Sequence, residues 1–423
     1  MARWIAGIDV HKRMLAVVIA DVSGDGPYQF ERRRVATRPL ELRALAEWLV
    51  SLQVDEVVME STAQYWRPVW ESLERYWQPE RRRQAGTGAL HLAQAQSNRG
   101  ARGRKQDFPD AERLVKRLVA DELTLSFVPE PEQRLWRTVM RRRHQLIRNR
   151  VQLHNRLECL LEEAHLKLSS FVSDLLGLSA RRMLQAVAEG ETDPAALAAL
   201  ADRRLRAPAE HLCDALGAAT DLHPVYRHLI QLTLDELRLL ETQILELDQA
   251  MARLLTSQQA AVERLAEVPG LCVDSAQQII AEVGPTAATF PSDKHLSSWV
   301  GSCPGKEESA GVNRSHRSPK GSRPMRRVLN QAANAAVKTK GSIFQLIYRR
   351  LVPRLGHQQA IGAIANRLSR LIWKILHEGV RYLERGPDVA TRRTKARAAQ
   401  MIRELRRLGY RVEPVPSPSG SPA

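Results

Sequence analysis

The chain has 423 residues, of which 43% are hydrophobic and 26% charged, and no apolar run reaches the roughly 18 residues that a membrane-spanning helix needs. Lysine and arginine number 64 against 47 aspartates and glutamates, which gives a net charge of +17 and a pI near 10.2. This excess favours a polyanionic partner, most often nucleic acid, although a basic soluble surface without such a partner has the same composition.

The first 128 residues show strand and helix patterns in alternation. Short, apolar, β-rich runs predict strands at 4–10, 14–20, 28–36 and 54–60. Apolar residues at helical spacing predict helices at 39–52, 63–77 and 111–120. This order of elements indicates an α/β domain with a mixed sheet over residues 1–128.

Two long stretches, 132–168 and 228–267, carry apolar residues at every seventh position. Such a repeat predicts two long helices of the coiled-coil kind, and the polar Gln258 interrupts the second one. The helices can pair within one chain or across a dimer, and the sequence leaves both open. An Ala- and Leu-rich stretch between them predicts a helical insert at 169–227, so that the coiled-coil linker occupies 129–267.

The remainder of the chain is predicted to be mainly helical. Val268-Pro269-Gly270 ends the second long helix, and a compact helical domain with a Ser-, Gly- and Arg-rich loop follows over 268–342. Residues 343–412 continue as a helical, basic C-terminal extension. The last residues, 413–423, are rich in Pro, Ser and Gly and are expected to be disordered.

Four acidic residues are candidate ligands for a metal ion. Asp9 and Glu60 each end a predicted strand, and Asp107 and Asp110 precede a predicted helix. Hard divalent cations such as Mg²⁺ prefer carboxylate oxygens, and four such groups can hold one or two ions for phosphodiester chemistry. Each acid alone also suits a structural role, because Asp107 can cap the helix, Asp110 interacts favourably with its dipole and strand-end acids are often only solvated.

Three basic stretches are candidate phosphate-binding surfaces. The first is a Gly-rich loop with Arg99, Arg102, Arg104 and Lys105. The second, 134–150, has seven arginines and no acid, so ion pairs within its own helix do not explain it. The candidate contacts in it are Arg141, Arg142, Arg143 and Arg148. The third, 391–412, has eight Lys and Arg residues against Glu404 alone.

The Ser-, Gly- and Arg-rich loop offers a candidate nucleophile. Serines in loops usually only form turns, but a serine surrounded by cations can also accept a phosphoryl group, because the cations stabilise the transition-state charge. The candidate hydroxyls are those of Ser302, Ser309, Ser315, Ser318 and Ser322. The surrounding cations, which are also candidate nucleic-acid contacts, are Arg314, Arg317, Lys320 and Arg323. Spacing alone does not choose among the serines.

Several motifs occur together in one order. They are Gly7-Ile8-Asp9-Val10-His11-Lys12, Met59-Glu60-Ser61-Thr62, Lys105-Gln106-Asp107-Phe108-Pro109-Asp110-Ala111, and a later block that includes Trp299-Val300-Gly301-Ser302-Cys303-Pro304, Ser309-Ala310-Gly311 and Ser318-Pro319-Lys320-Gly321-Ser322-Arg323. In this combination the chain resembles the DEDD-type insertion-sequence transposases, which are related to the pilin-gene invertases and are known as bridge-RNA-guided recombinases. The resemblance extends over residues 4–120 and 260–340.

The resemblance implies an N-terminal RuvC-like (RNase H-type) α/β domain, joined through long coiled-coil helices to a mainly α-helical transposase domain. It implies that the metal-binding acids are Asp9, Glu60, Asp107 and Asp110. It points to Ser309 as the nucleophile, because the family's serine follows a Gly-x-x-Pro turn, as Ser309 follows Gly301 and Pro304.

The resemblance also implies partners. Members of the family join DNA through a phosphoserine intermediate, act as homo-oligomers (a dimer or a tetramer) and use a noncoding guide RNA that pairs with donor and target DNA. The acids of one subunit are thought to meet the serine of another. The implied location is the bacterial cytoplasm, at the nucleoid. The four scattered cysteines, which form no close pair, favour a reducing compartment as well.

Three features depart from the family pattern. Cys272 stands where the family has a second glycine after Pro269-Gly270. The insert makes the linker longer than is typical. The basic extension has no counterpart, and we expect it to bind RNA or DNA.

The leading hypothesis is a recombinase in which Ser309 attacks a DNA phosphate and the four acids hold Mg²⁺. The first alternative is a metal-dependent, structure-specific endonuclease of the Holliday-junction resolvase kind, in which water attacks and Ser309 is only structural. The second is a non-enzymatic RNA- or DNA-binding scaffold whose acids are helix caps and solvated strand ends.

Overall fold

In the computed structural model the chain forms two compact units, Met1–Pro129 and Glu130–Ala423. The structure describes residues 3–24, 26–61, 63–77, 90–95, 98, 106–305, 307–309, 312–315 and 318–407. The side chains of 307–309 and 312–315, several side chains between 390 and 406, and the tail at 413–423 lie outside this description. Within the described ranges, no helix is both long enough and apolar enough to cross a membrane.

The first unit is built on a five-stranded mixed sheet. Its strands are β1 (Trp4–Val10), β2 (Met14–Asp21), β3 (Glu31–Ala36), β4 (Glu56–Glu60) and β5 (Leu90–Ala93). They lie in the order β3-β2-β1-β4-β5. Strand β2 pairs in an antiparallel manner with both β1 and β3, whereas β4 pairs in a parallel manner with β1 and β5 does so with β4. The strands predicted from the sequence do not include β5, which has only four residues.

Helices cover both faces of this sheet. They are α1 (Pro39–Ser51), α2 (Trp66–Ser72), which continues as a π-helical turn (Leu73–Trp77), and α3 (Asp107–Val119). Side chains of α1 and of the π-helical turn, such as Leu45 and Trp77, share a core with the even-numbered residues of β1. Leu114 of α3 belongs to a second core with the odd-numbered Ile5. Because side chains alternate along a strand, the odd-numbered residues of β1 face α3.

The second unit begins with two long helices and a helical insert. These elements are α4 (Pro131–Glu163), the insert helices α5 (Leu178–Glu189), α6 (Pro194–Ala199) and α7 (Ala209–Ala215), 3₁₀ turns at Leu168–Ser170 and Gly217–Ala219, and α8 (Pro224–Leu254). Helices α4 and α8 pack against each other, and residues at the sevenfold spacing, such as Leu153 and Leu237, are buried. The two long helices therefore pair within the chain. The insert has its own core of Leu and Ala side chains.

The second long helix is shorter than its repeat predicts. Helix α8 ends at Leu254, a 3₁₀ turn spans Thr256–Gln258, and α9 (Gln259–Ala266) follows. The prediction of one continuous helix up to residue 267 is therefore wrong. The hydroxyl of Thr256 donates to two carbonyls of the preceding turn, at 3.2 and 2.8 Å, and this side-chain bonding competes with a regular helix.

The rest of the second unit surrounds one hydrophobic core. Its elements are α10 (Val273–Val283), α11 (Asp293–Val300), a hairpin of β6 (Glu307–Ser309) and β7 (Val312–Ser315), α12 (Arg323–Ala336), α13 (Ile343–His377) and α14 (Gly386–Arg407). Helix α13 is kinked at Gly356, where the backbone is non-helical. Ile364 and Leu368 of α13 share the core with Ile279 of α10 and Val328 of α12. The helix that starts at residue 343 therefore packs with the helices of 268–342.

Candidate catalytic site

Two parallel strands place Asp9 and Glu60 side by side at one edge of the sheet. Ile8 of β1 is in register with Met59 of β4, and each acid is the next residue along its strand. Asp9 is on the odd-numbered face of β1, and Glu60 lies two residues beyond Val58, which shares the core of α3. Both carboxylates therefore leave the carboxyl-terminal edge of the sheet on the side that α3 covers.

A glycine allows the start of α3 to reach this edge. A Cβ atom at Gly7 would overlap the carbonyl oxygen of Ala111, so the helix and the strand touch through bare backbone. Asp107 lies one helical turn before Ala111, and Asp110 lies in the same first turn. The capping role considered for Asp107 is wrong, because the N-cap residue is Gln106 and Asp107 is already part of the helix.

His11 lies between two of the acids. Its Nε2 is 3.1 Å from Oδ2 of Asp9 and 3.3 Å from Oδ1 of Asp107. The three side chains offer one ligand atom each, and these atoms lie within 4.8 Å of one another. The site predicted from the sequence does not include His11, which directly follows the last residue of β1.

The electrostatic environment of Asp9 reflects all four acids. Asp9 is only 8% exposed. Burial raises the pKa of its carboxyl, His11 opposes this, and the negative charges of Glu60, Asp110 and Asp107 raise the pKa further. Because burial and mutual repulsion disfavour a full set of negative charges, a divalent cation bound here would offset both.

A buried amide next to the acids also fits a hard cation. Nδ2 of Asn98 donates to Oε2 of Glu60 at 2.9 Å. Asn98 is 4% exposed, and its Oδ1 has no hydrogen-bond partner in the described part of the chain. Oxygen of this type, beside carboxylates, is what Mg²⁺ and similar ions bind. The sequence carries no signal that selects Asn98.

Ser309 belongs to the second unit, at the end of β6, where its backbone pairs with Val312 of β7. Two glycines close the base of this loop. Gly301 adopts a φ of 74°, and a Cβ at Gly321 would overlap the carbonyl oxygen of Val300. The hairpin therefore extends from a narrow base directly after α11. The side chain of Ser309 lies outside the described residues.

The structure distinguishes among the five candidate serines. The hydroxyl of Ser302 lies 3.1 Å from that of Ser297 and 3.3 Å from that of Ser369. Ser322 is the N-cap of α12, and its hydroxyl accepts a hydrogen bond from the helix backbone. These two candidates thus have structural partners, whereas Ser318 is exposed. The side chains of the other two candidates lie outside the described residues.

Part of the basic run on α4 is neutralised by acids of other helices. Arg141 donates two hydrogen bonds of 2.9 Å to the buried Glu282. Arg143 pairs with Asp274 at 2.7 Å. Both acids belong to α10, so these ion pairs cannot be recognised from the sequence of 134–150.

The other predicted nucleic-acid contacts remain predictions. Those that are exposed and make no ion pair within the described ranges are Arg142, Arg148, Lys320 and Arg323. Those that lie outside the described residues are Arg99, Arg102, Arg104, Lys105 and Arg317, together with the side chain of Arg314.

Replacing Gly7 by alanine is expected to lower DNA cleavage by about 100-fold, which is the typical cost of a displacement of roughly 1 Å at a catalytic group. The new Cβ overlaps the carbonyl of Ala111, so α3 and its two acids must move away from Asp9. Initial rates on labelled DNA with saturating Mg²⁺ measure the effect. Gly24→Ala is the matched control, because a Cβ there meets no described atom within 4 Å. Equal rates for the two variants would show that the position of α3 is unimportant.

Two transposase family models match the chain. A DEDD transposase model of the IS110 type matches residues 6–166, and a model of the transposase IS116/IS110/IS902 family matches residues 262–349. Together they cover more than half of the chain. The curated protein "Putative transposase y4pF/y4sB" of Sinorhizobium fredii is 24% identical over 305 residues, which are 70% of this chain and 67% of that protein.

Two solved structures are also similar. The Thermus thermophilus RuvC structure covers 29% of this chain and 99% of its own, with 13% identity and a TM-score of 0.22. T. thermophilus RuvC in complex with a Holliday junction substrate has the same coverage, with 12% identity and a TM-score of 0.21.

With the fold and its acidic cluster, the family matches define a transposase, which is an enzyme that cleaves DNA. The chain belongs to the IS110-type DEDD transposases. The predicted family is thus confirmed. The predicted fold class is confirmed in its architecture, which is an α/β domain with a mixed sheet followed by a mainly helical region.

Proposed function

We propose that this transposase cuts and rejoins DNA through a serine–phosphate intermediate and is guided by a noncoding bridge RNA. The observation that carries the proposal is the cluster of Asp9, His11 and Asp107, with Glu60 and Asp110 near enough to raise the pKa of Asp9, within a chain of this family. The chemistry requires this cluster for charge stabilisation and a hydroxyl for attack.

In the proposal the metal ligands are Asp9, Glu60, Asp107 and Asp110, which would hold one or two Mg²⁺ ions. Three observations support this set: the burial of Asp9, the repulsion among the acids, and the oxygen of Asn98 that has no hydrogen-bond partner among the described residues. When bound, the ion supplies Lewis-acid stabilisation of the charge that develops on the phosphate. His11 holds the carboxylates of Asp9 and Asp107 on one side of the site.

Ser309 supplies the nucleophile. Its hydroxyl oxygen forms a bond to a DNA phosphorus while the bond from that phosphorus to the leaving strand oxygen breaks. The serine loses its proton, and the leaving oxygen takes up a proton and ends as a free hydroxyl. In the reverse step the hydroxyl of another strand attacks the phosphoserine and releases the serine. Because each step exchanges one phosphoester for another, rejoining needs no external energy source.

The proposed partners are donor DNA, target DNA, the guide RNA and further copies of the chain, as a homodimer or homotetramer. The net charge of +17 supports nucleic-acid binding, and exposed cations such as Arg142 and Lys320 add to it. Phosphate contacts of this kind make binding strongly salt-dependent. The proposed location is the nucleoid in the bacterial cytoplasm.

Mixing two inactive variants tests whether the active site combines two subunits. Asp9→Asn lacks a metal ligand and Ser309→Ala lacks the nucleophile, so neither is expected to join DNA alone. In a randomly mixed dimer whose sites take acids from one subunit and serine from the other, about a quarter of the sites are intact. Strand joining near this level in the co-expressed mixture is the expected result. A mixture that co-assembles, as shown by two different affinity tags, but joins no DNA would contradict the composite site.

A further inference from the structure

A basic cavity of about 230 Å³ lies in the second unit, between α4, α10 and α12. Met140 and Val328 form part of an apolar wall. The cations that line the cavity are Arg141, Arg148, Arg323 and Arg327, and His144 lies among them. Among the described residues that line the cavity, Glu282 is the only acid.

The acid in this lining is already neutralised. Glu282 accepts two hydrogen bonds of 2.9 Å from Arg141, and its Oε2 lies 3.7 Å from Nε of Arg137. The half-buried Arg327 donates to the neutral Oε1 of Gln278 at 2.6 Å and makes no ion pair within the described ranges. The cavity therefore has a surplus of positive charge.

The surplus of positive charge is energetically unfavourable in this partly buried cavity. Burial lowers the pKa of Arg327, with two nearby acids acting against this effect and Arg143 adding to it. Burial also lowers the pKa of His144, and the charges of Arg327 and Arg148 lower it further. Since an arginine stays protonated in proteins, the charge of Arg327 persists, and an anion in the cavity would relieve the repulsion.

The size and chemistry of the cavity favour a phosphate. Sites for drug-sized ligands measure ~300–1,000 Å³, so this smaller cavity suits one phosphate with part of its sugar. Guanidinium groups bind phosphate oxygens in a bidentate manner. Helix α12 begins at Arg323, so its positive dipole end adjoins the cavity. The carbon atoms of Met140 and Val328 provide a surface for a sugar ring.

We propose that this cavity binds one backbone phosphodiester of a nucleic-acid strand, held by Arg148, Arg323 and Arg327. The inference rests on the proposed function only in taking nucleic acid as the partner. It divides the arginines of α4 into two kinds, because Arg141 and Arg143 hold helices together while Arg148 contacts the strand. The strand can come from DNA or from RNA, since both present the same phosphodiester.

Salt-dependent binding of the full chain tests this inference. The probes are a fluorescent DNA duplex and an RNA hairpin of the same length, both in EDTA. Arg148→Gln and Arg327→Gln are each expected to weaken binding about tenfold and to lower the slope of log K against log salt by about one. The double variant is expected to lose less than the product of the single losses, because both arginines hold one phosphate. If the variants weaken the binding of just one of the two probes, that probe identifies the bound strand as DNA or RNA.

Arg253→Gln on α8 is the matched control, because Arg253 is exposed, does not line the cavity and carries the same charge. Circular dichroism checks that each variant folds. If Arg327→Gln does not fold, the exposed pair Arg148→Gln and Arg323→Gln provides the test. The inference is overturned if the cavity variants weaken binding of both probes no more than Arg253→Gln does. Because EDTA removes divalent metal, this binding experiment does not test the proposed cleavage chemistry. In the same way, a failure of the proposed chemistry would not change the binding result.

Discussion

Replacing Asp9 by asparagine is expected to reduce DNA cleavage by about 1,000-fold or more, while the metal-free protein becomes no less stable. Asp9 is 8% exposed, and burial and three other acids oppose its charge. An amide of the same size removes that charge together with its desolvation cost and the repulsion. We expect a metal ligand to be a side chain whose replacement abolishes activity without lowering the stability of the protein.

Cleavage of labelled DNA and thermal unfolding with and without Mg²⁺ measure the two effects. The ion is expected to raise the Tm of the parent and not that of Asp9→Asn. Asp21→Asn is the matched control, because Asp21 ends β2 and hydrogen bonds from Ser23 lower the pKa of its carboxyl. Its replacement is expected to leave cleavage unchanged and to lower stability slightly. An Asp9→Asn protein that still cleaves DNA would remove Asp9 from the site.

The same variant has a second readout in the pH dependence of stability. A carboxyl whose pKa is higher in the folded than in the unfolded protein favours folding at low pH, and this contribution is lost as the pH rises through the folded pKa. The metal-free parent is therefore expected to lose stability relative to Asp9→Asn as the pH rises above the ordinary aspartate range. Urea unfolding at a series of pH values measures this difference, and a difference that stays constant would contradict the raised pKa.

Replacing Ser309 by alanine is expected to abolish the covalent protein–DNA adduct and to lower strand joining by about 1,000-fold or more, while DNA binding is retained. The substitution removes only the hydroxyl, and alanine is compatible with the end of a short strand such as β6. Denaturing gels with labelled DNA detect the adduct, because only a covalent ester survives denaturation. Gel shifts in EDTA measure binding separately.

Ser318→Ala is the matched control for this prediction, because Ser318 is exposed and follows the same hairpin. It is expected to retain the adduct. An adduct that persists in Ser309→Ala would assign the attack to another hydroxyl. A parent protein that cleaves DNA without forming any adduct would favour water as the nucleophile, and with it the endonuclease alternative.

The sequence alone determines the family, the fold class and the acidic residues that deserve testing. Strand β1 is apolar up to Asp9, and β4 has three apolar residues before Glu60, so both acids are visible in the pattern. Asp107 and Asp110 are visible because they open an amphipathic helix. These signals are local, since strand and helix periodicity involve neighbours only a few positions apart.

Packing between distant segments decides the remaining features. His11 and Asn98 join the acids only when the strand edge, α3 and residue 98 come together. The pairing of α4 with α8 within one chain also depends on which surfaces meet.

The basic run on α4 shows the physical reason most clearly. In the sequence, residues 134–150 contain seven arginines and no acid. In the fold, Arg141 forms a hydrogen bond with Glu282, which lies 141 positions away in the chain. Arg148 and Arg327 line a cavity whose one lining acid is already paired. A charge that a ligand encounters depends on the partners that folding brings to it, and a linear pattern contains no information on those partners.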